Sequence, residues 1–291
     1  MFSGSYVAIV TPFKNGKIDE EAFKKLIDMQ AEAGTDGIVP CGTTGESPTL
    51  TPEEHEHVVA MTVRLVNKRM KVIAGTGSNS TSEAIAYTQA AEKAGADAAL
   101  VVNPYYNKPT QKGLYAHFKA VAEAVKFPII VYNILGRTAV NVATSTLVEL
   151  AKIPNIKGVK EASGDMSQMI EVVNQCGDDF DVLSGDDALT LPLLAVGGKG
   201  IISVVANIIP KDVKAMLNAF DKGDLKTARE MNKKMFPLIK AMFIETNPIP
   251  VKAAMVMLGM IADELRLPMT SLEEANKVKL AKVMKEYGLK V

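Results

Sequence analysis

The chain has 291 residues, of which 47% are hydrophobic, and it carries 33 Lys and Arg residues against 33 Asp and Glu residues. This length allows a large core, organised either as one barrel domain or as two average domains. A formal net charge of zero provides no basic surface for a nucleic acid or an anionic membrane, so the expected partners are small molecules or other protein chains.

Short apolar runs rich in β-branched residues alternate with longer amphipathic runs up to about residue 205, which is typical of a parallel sheet with helical crossovers. The pattern predicts eight strands, at residues 6–10, 37–40, 71–74, 98–102, 129–132, 156–160, 181–183 and 200–204. Helical patterns between them include residues 19–32, 52–67, 81–93 and 111–125. After the last strand, helices are predicted at residues 211–220, 225–245, 250–263 and 272–287.

Eight strand–helix units in series favour a closed (β/α)8 barrel over an open doubly wound sheet, although periodicity alone leaves closure open. A weak repeat supports the units, because residues 32–37 and 93–98 both end a helix at Gly and then start a strand. The first helix after the last strand completes the barrel, and the other three form a C-terminal helical appendix. We therefore predict a barrel at residues 1–222 and a helical segment packed on it at residues 223–291.

In such a barrel the active site lies at the carboxyl ends of the strands. The second strand is followed by Gly42-Thr43-Thr44-Gly45, in which glycines allow backbone N–H groups to approach a carboxylate or phosphate. A plain turn explains this short motif equally well.

The fifth strand ends at Tyr132, and its loop continues to Arg137. A Tyr at this position can relay protons, and Arg offers a planar fork that matches a carboxylate. The alternative is a packed Tyr with a satisfied hydroxyl and a solvated loop cation.

The sixth strand ends at Lys160, where alternation can point the side chain into the barrel mouth. Burial there lowers the pKa of the amine and makes a free-base nucleophile available for imine formation. A single Lys is more often a surface residue. Lys157, on the opposite parity of the same strand, is the internal control.

Other motifs are less specific. Tyr105 and Tyr106 lie on a Pro-flanked loop after the fourth strand. They fit two interpretations equally well: they anchor a subunit interface, or they extend into the site of a neighbouring subunit. His55 and His57 do not share a helix face, so we expect no metal site. The segment 75–80 lacks the third glycine of a dinucleotide loop, so no cofactor is expected.

The cysteines and the lengths of the apolar runs indicate the cellular compartment of the protein. Cys41 and Cys176 are the only cysteines and show no pairing pattern, and the N-terminus has no cationic stretch followed by an apolar run. No apolar stretch approaches the roughly 20 residues that span a bilayer. We predict a cytoplasmic protein without a transmembrane helix.

Three segments together resemble the pyruvate-dependent class I aldolase superfamily of (β/α)8 barrels and, within it, the dihydrodipicolinate synthases. They are Gly42-Thr43-Thr44-Gly45-Glu46-Ser47, Tyr132-Asn133-x-x-Gly136-Arg137-Thr138 and Val159-Lys160-Glu161-Ala162-Ser163-Gly164. The resemblance covers essentially the whole chain, including residues 103–109, 183–187 and 245–252. It implies a lyase of lysine and diaminopimelate synthesis that joins pyruvate to L-aspartate 4-semialdehyde without a metal or cofactor.

The resemblance also implies a role for each matching residue. Lys160 is expected to form the Schiff base with pyruvate, and Tyr132, Thr43 and a neighbouring subunit's Tyr106 to relay protons. Backbone groups around Thr43 and Thr44 are expected to hold the carboxylate of pyruvate. The pocket is expected to be lined by Gly185 and Ile202, with Arg137 receiving the second substrate.

Two alternatives remain open at this point: a related aldolase that acts on a sugar acid, and a non-catalytic barrel that binds a keto acid. Arg137 favours the synthase, because the sugar-acid enzymes do not typically carry Gly-Arg-Thr. Leu135 departs from the family's usual Pro, and we expect it to loosen the Arg137 loop and alter acceptor affinity.

Feedback-inhibited relatives of this kind bind lysine at a subunit interface. The matching positions here are Ser47, Pro48, His55, Gly77, Asn79, Glu83 and Tyr105. Pro52 stands where sensitive bacterial enzymes often carry His, so inhibition is left open. The resemblance further implies a homotetramer built as two tight dimers.

Overall fold

A computed structural model of the chain describes residues 2–291, and Met1 lies outside them. Eight parallel strands form a closed barrel, because β1 pairs with β8 on one side and with β2 on the other. The strands are β1 (Gly4–Ala8), β2 (Gly37–Val39), β3 (Lys71–Gly75), β4 (Ala98–Val102), β5 (Ile129–Asn133), β6 (Ile156–Glu161), β7 (Asp181–Ser184) and β8 (Gly200–Ser203). The predicted (β/α)8 fold is confirmed.

Helices alternate with the strands and cover the outside of the barrel. They are α1 (Glu20–Glu32), α2 (Pro52–Val66), α3 (Thr81–Ala94), α4 (Gln111–Glu123), α5 (Thr144–Ala151), α6 (Met166–Gln175), α7 (Thr190–Ala195) and α8 (Pro210–Asp221). A one-turn helix, Leu135–Thr138, lies in the loop after β5. Side-chain caps fix several starts: Thr51 and Glu54 form a reciprocal capping box at α2.

Strand alternation divides the apolar side chains between two layers. Tyr6, Ile130, Tyr132, Leu183 and Ile202 pack together inside the barrel. The alternate residues face the helices, as Val159 does in the outer cluster. A residue that is paired with Tyr132 or Leu183 on a neighbouring strand therefore points its side chain into the barrel interior.

Three further helices follow the barrel: α9 (Leu225–Ala241), α10 (Ile249–Met257) and α11 (Glu274–Tyr287). The helix α9 packs against α8 and α11, and α10 packs against α11. The division into residues 1–222 and 223–291 stays a prediction. Within residues 2–291, no helix is both long and apolar enough to cross a membrane.

Some boundaries differ from the sequence prediction. The first strand is Gly4–Ala8 rather than residues 6–10, because the Val10 N–H leaves the ladder and donates to Asn207 Oδ1 at 3.2 Å. The helix predicted at 250–263 ends at Met257, since Gly259 adopts a φ of 69° that breaks the helical path. A small hairpin, Phe13–Lys14 with Lys17–Ile18, was not predicted.

Candidate active site

The loops after the barrel strands surround a cavity of about 430 Å³ at the carboxyl end of the sheet. Thr43, Tyr132 and Arg137, which were predicted from three different loops or strand ends, all line it. The same cavity continues to Ser47 and Tyr105. Sequence positions that are far apart therefore meet at one concave site.

Lys160 lies at the end of β6, in register with Tyr132 on one side and Leu183 on the other. Because both neighbours face the barrel interior, so does the lysine, which is only 5% exposed. Burial lowers the pKa of Lys160 to about 7, and the Asp187 carboxylate opposes that fall. A large fraction of the amine is therefore unprotonated near neutral pH.

The neighbouring Lys157 occupies a different environment. It is half-buried and lies two residues before Val159, which packs in the outer cluster between barrel and helices. Strand alternation therefore places Lys157 on the opposite parity from Lys160.

Tyr132 forms the wall next to the lysine. The Lys160 Nζ atom lies 4.2 Å from the centre of the Tyr132 ring. Burial raises the pKa of Tyr132 to about 12, while the Arg137 charge and a hydrogen bond with Thr43 act in the opposite direction. Lys160, Tyr132 and Thr43 thus form a continuous group with an amine and two hydroxyls.

Gly185 leaves space for the lysine side chain. A Cβ atom added at Gly185 lies 3.0 Å from Lys160 Cε and 2.7 Å from Ala162 Cβ. Ile202 is fully buried in the same interior cluster as Tyr132. Both residues that were predicted to line the pocket therefore lie in the layer that contains the lysine.

The loop after β2 presents free donors. It is closed by turn hydrogen bonds from Gly45 N to Gly42 O and from Glu46 N to Thr43 O, each 3.1 Å long. In residues 2–291, neither the Thr43 nor the Thr44 amide donates to another backbone group. Two backbone donors are thus available beside Tyr132 for an anionic ligand.

Arg137 lies on the one-turn helix Leu135–Thr138 and is exposed at the cavity mouth. Its guanidinium donates to the Asn247 carbonyl at 2.8 Å, while the Asn247 side-chain amide donates to Thr44 Oγ1 at 3.0 Å. Asn247 therefore joins two residues that were predicted to bind different substrates. Sequence analysis gave Asn247 no role.

A sequence profile of the dihydrodipicolinate synthetase family matches residues 1–287. Two proteins named 4-hydroxy-tetrahydrodipicolinate synthase, from Thermodesulfovibrio yellowstonii and Syntrophus aciditrophicus, are 60% and 58% identical over 99% of this chain and 99% of their own length. The chain belongs to the dihydrodipicolinate synthetase family. This confirms the family, the enzyme class and the lyase function in lysine and diaminopimelate synthesis that the sequence predicted.

Solved structures of family members have the same fold. The dihydrodipicolinate synthase of Aquifex aeolicus is 52% identical over 99% of both chains, with a TM-score of 0.98. A monomeric synthase variant is 45% identical, covers 99% of this chain and 98% of its own, and has a TM-score of 0.97. The enzyme from Cyanidioschyzon merolae with lysine bound is 41% identical over 99% of both chains, with a TM-score of 0.96.

Tyr106 does not join the other predicted members of the proton relay within one chain. It is 88% exposed and takes a φ of 68°, which is uncommon outside glycine. The single chain brings together Lys160, Tyr132 and Thr43, whereas the Tyr106 ring lies on the surface.

The residues predicted to bind lysine divide into two groups. Ser47, Glu83 and Tyr105 line the cavity, as do Pro48 and Gly77. His55 and Asn79 do not: the His55 ring is buried, with Nε2 2.8 Å from Gly75 O, and it stacks on Tyr87 with ring centres 4.1 Å apart. The polar edge of His55 is therefore occupied by the barrel itself.

Three buried charged residues were missed as functional candidates. Asp187 follows β7 and is 4% exposed, and its charge opposes the lowering of the Lys160 pKa by burial. Glu46 and Lys252 form a buried ion pair, 2.5 Å from Oε1 to Nζ, behind the loop after β2. The polar segment 184–187 directly after a strand was a signal for Asp187, while no local pattern links Glu46 to Lys252.

Proposed function

We propose that this chain condenses pyruvate with L-aspartate 4-semialdehyde to give 4-hydroxy-tetrahydrodipicolinate, through a Schiff base on Lys160. The observation that carries this proposal is an amine with a pKa of about 7, buried in the mouth of a barrel next to a tyrosine. The names of the close relatives support the choice of substrates.

The chemistry begins with attack of the unprotonated Lys160 amine on the ketone of pyruvate, followed by loss of water to give an iminium ion. The iminium nitrogen accepts electrons when a proton leaves the adjacent methyl carbon, which produces an enamine. The enamine carbon attacks the aldehyde of the second substrate, and the new alkoxide takes up a proton. The amine of that substrate then displaces Lys160 and closes the ring.

The site residues divide this work. Tyr132 and Thr43, with Tyr106 from a second subunit, carry protons to and from the reacting atoms. The free amides of Thr43 and Thr44 hold the carboxylate of pyruvate, and Arg137 at the mouth binds the carboxylate of the semialdehyde. Gly185 and Ile202 shape the space around the imine.

Borohydride trapping tests the mechanism. We expect one reduced pyruvate adduct per chain, located on Lys160 by peptide mass analysis, and no adduct in Lys160→Arg. Lys157→Arg is the matched control and keeps the adduct. An adduct on Lys157, or none in the folded wild-type protein, contradicts the proposal.

The two alternatives have separate tests. A sugar-acid aldolase forms the same adduct but turns over a polyhydroxylated acceptor in place of the semialdehyde, so an acceptor profile distinguishes it. A keto-acid-binding barrel binds pyruvate without trapping. No observation on this chain favours either one.

We also propose that lysine binds in the outer part of the cavity, near Ser47, Glu83 and Tyr105. Glu83 supplies a carboxylate for the ligand's amino group, and Tyr105 supplies a hydroxyl. The related enzyme with lysine bound supports a ligand of this type. Millimolar lysine is expected to slow the wild-type enzyme and to have less effect on Glu83→Gln; an unchanged wild-type rate contradicts the proposal.

A homotetramer assembled as two dimers is the proposed assembly, in a cytoplasmic location. The exposed Tyr106 supports a subunit contact, and the free cysteines Cys41 and Cys176 support a reducing compartment. Sedimentation velocity is expected to give a tetramer, and a stable monomer with full activity contradicts it.

A further inference from the structure

Asp187 is a buried carboxylate that connects the ends of two barrel strands. Its Oδ1 accepts from Ser203 Oγ at 2.5 Å, and its Oδ2 accepts from the amides of Val204 and Val205 at 3.0 and 3.3 Å. All three donors belong to the end of β8 and the turn that follows Ile202. The carboxylate therefore holds the end of β8 against the loop after β7.

Asp187 also lies two residues after Gly185, which is close to the Lys160 side chain. The strands β6 and β7 are paired, with Lys160 opposite Leu183, and a Cβ added at Gly185 lies 3.0 Å from Lys160 Cε. Burial lowers the pKa of the Lys160 amine, and the charge of Asp187 acts against that fall.

Few other charges face this lysine. Arg137, from the loop after β5, acts to lower the pKa of Lys160, and the Tyr132 ring packs against its Nζ. Burial raises the pKa of the Asp187 carboxyl, and the charge of Asp186 adds to this, whereas the three hydrogen-bond donors lower it.

We propose that Asp187 is a positioning residue, which fixes the β8 end beside Ile202 and provides the counter-charge for the cation that forms on Lys160. This role rests on the proposed Schiff-base function. Burial frees the amine for attack, but the same burial penalises the protonated carbinolamine and the iminium ion that follow. A fixed carboxylate nearby stabilises these cations more than the neutral amine, so it favours the reaction over the resting state.

Two variants separate the charge from the hydrogen bonds. Asp187→Asn removes the charge but keeps an acceptor for the two backbone amides and a group that can bond to Ser203. Ser203→Ala removes one hydrogen bond and keeps the charge. Asp187→Glu tests whether a different carboxylate at the same position restores the effect. Thermal melting of each variant reports on folding.

The measurement is the rate of borohydride trapping with pyruvate as a function of pH. In Asp187→Asn the acidic limb is expected to move to lower pH by about one unit, because removal of the carboxylate removes an effect that raises the lysine pKa. The maximal trapping rate above that limb is expected to fall about tenfold, since the cation loses its counter-charge. Ser203→Ala is expected to leave the limb in place, and Asp187→Glu to restore it in part.

The possible failures are distinguishable. A wild-type adduct on Lys160 with an unmoved limb in Asp187→Asn overturns the role of Asp187 alone. Equal shifts in Asp187→Asn and Ser203→Ala overturn it as well, since they show a purely structural effect. No adduct in the wild-type protein overturns the proposed function, and this role with it.

Discussion

At the scale of single residues, the site depends on the absence of a side chain at Gly185 as much as on the side chains that are present. Gly185→Ala places a Cβ 3.0 Å from Lys160 Cε and 2.7 Å from Ala162 Cβ, which is closer than ordinary carbon contacts. We expect the lysine to leave its position and borohydride trapping of pyruvate to slow about tenfold or more, because small displacements of a nucleophile are costly.

Gly136→Ala is the control for this change. Gly136 lies on the same rim, in the one-turn helix beside Arg137, but no atom lies within 4 Å of an added Cβ. Trapping is therefore expected to be unchanged in Gly136→Ala. A Gly185→Ala enzyme that traps pyruvate at the wild-type rate contradicts the packing argument.

The sequence predicted Lys160, Tyr132 and Thr43 because each follows a local rule. Position at a strand's carboxyl end and the alternation of side chains are both readable within a few residues. Asn247 is different: it contacts Thr44 from 203 positions away along the chain. Its part in the site arises only when the segment after the barrel folds back over the mouth, which no local pattern indicates.

At the scale of elements, the loop after β2 is held from behind by the segment that follows the barrel. Lys252, near the start of α10, donates to Glu46 at 2.5 Å, to the Thr11 carbonyl at 3.1 Å and to the Glu264 carbonyl at 2.8 Å. The second carboxylate oxygen of Glu46 accepts from the Arg266 amide at 3.0 Å. The ligand-binding loop and the C-terminal segment therefore share one buried charge network.

Lys252→Met is expected to destabilise the protein by about 3–5 kcal/mol, because it leaves the buried Glu46 carboxylate without its counter-charge. The loop that carries Thr43 and Thr44 is expected to loosen, so the KM for pyruvate rises. Urea unfolding and pyruvate titration measure the two effects. Lys277→Met breaks the exposed pair with Glu274 and is expected to have little effect on unfolding, because water screens that pair. Equal losses in the two variants contradict the prediction.

Leu135 is the second element-level feature. It is the first residue of the one-turn helix that carries Arg137, a position where Pro is favoured because its φ is already helical. We expect Leu135→Pro to stiffen the loop and to lower the KM for aspartate semialdehyde while leaving pyruvate trapping unchanged. Steady-state kinetics with each substrate varied in turn check this, and equal semialdehyde constants in both enzymes exclude the effect.

Elements were predicted best where capping residues mark their limits. The helix α2 begins after Thr51 with Pro52 and Glu54, as its sequence indicates. The end of α10 at Met257 was missed because the apolar pattern continues beyond it to Ile261, which packs in the core from a loop. A periodic hydrophobic pattern indicates which residues are buried, but a buried residue such as Ile261 can also lie in a loop.

At the scale of the whole molecule, closure of the barrel and completion of the site are separate questions. Eight strand patterns fit an open sheet as well as a barrel, and only the pairing of β1 with both β8 and β2 decides between them. The barrel closes within one chain. The predicted proton relay is not complete within one chain, because Tyr106 is 88% exposed while Tyr132 is buried.

A mixed assembly tests whether Tyr106 serves a neighbouring subunit's site. The variants Tyr106→Phe and Lys160→Arg are each expected to be at least tenfold less active than wild type, since each lacks one group of the reaction path. In a hybrid dimer, the Lys160 of one chain meets the Tyr106 of the other, and one complete site is restored. When equal amounts of the two variants exchange subunits at random, half of the dimers are hybrids, and each hybrid has one complete site out of two. The mixture is therefore expected to recover up to a quarter of wild-type activity. If Tyr106 acts within its own chain, every hybrid site lacks one group, and the mixture stays as inactive as its components.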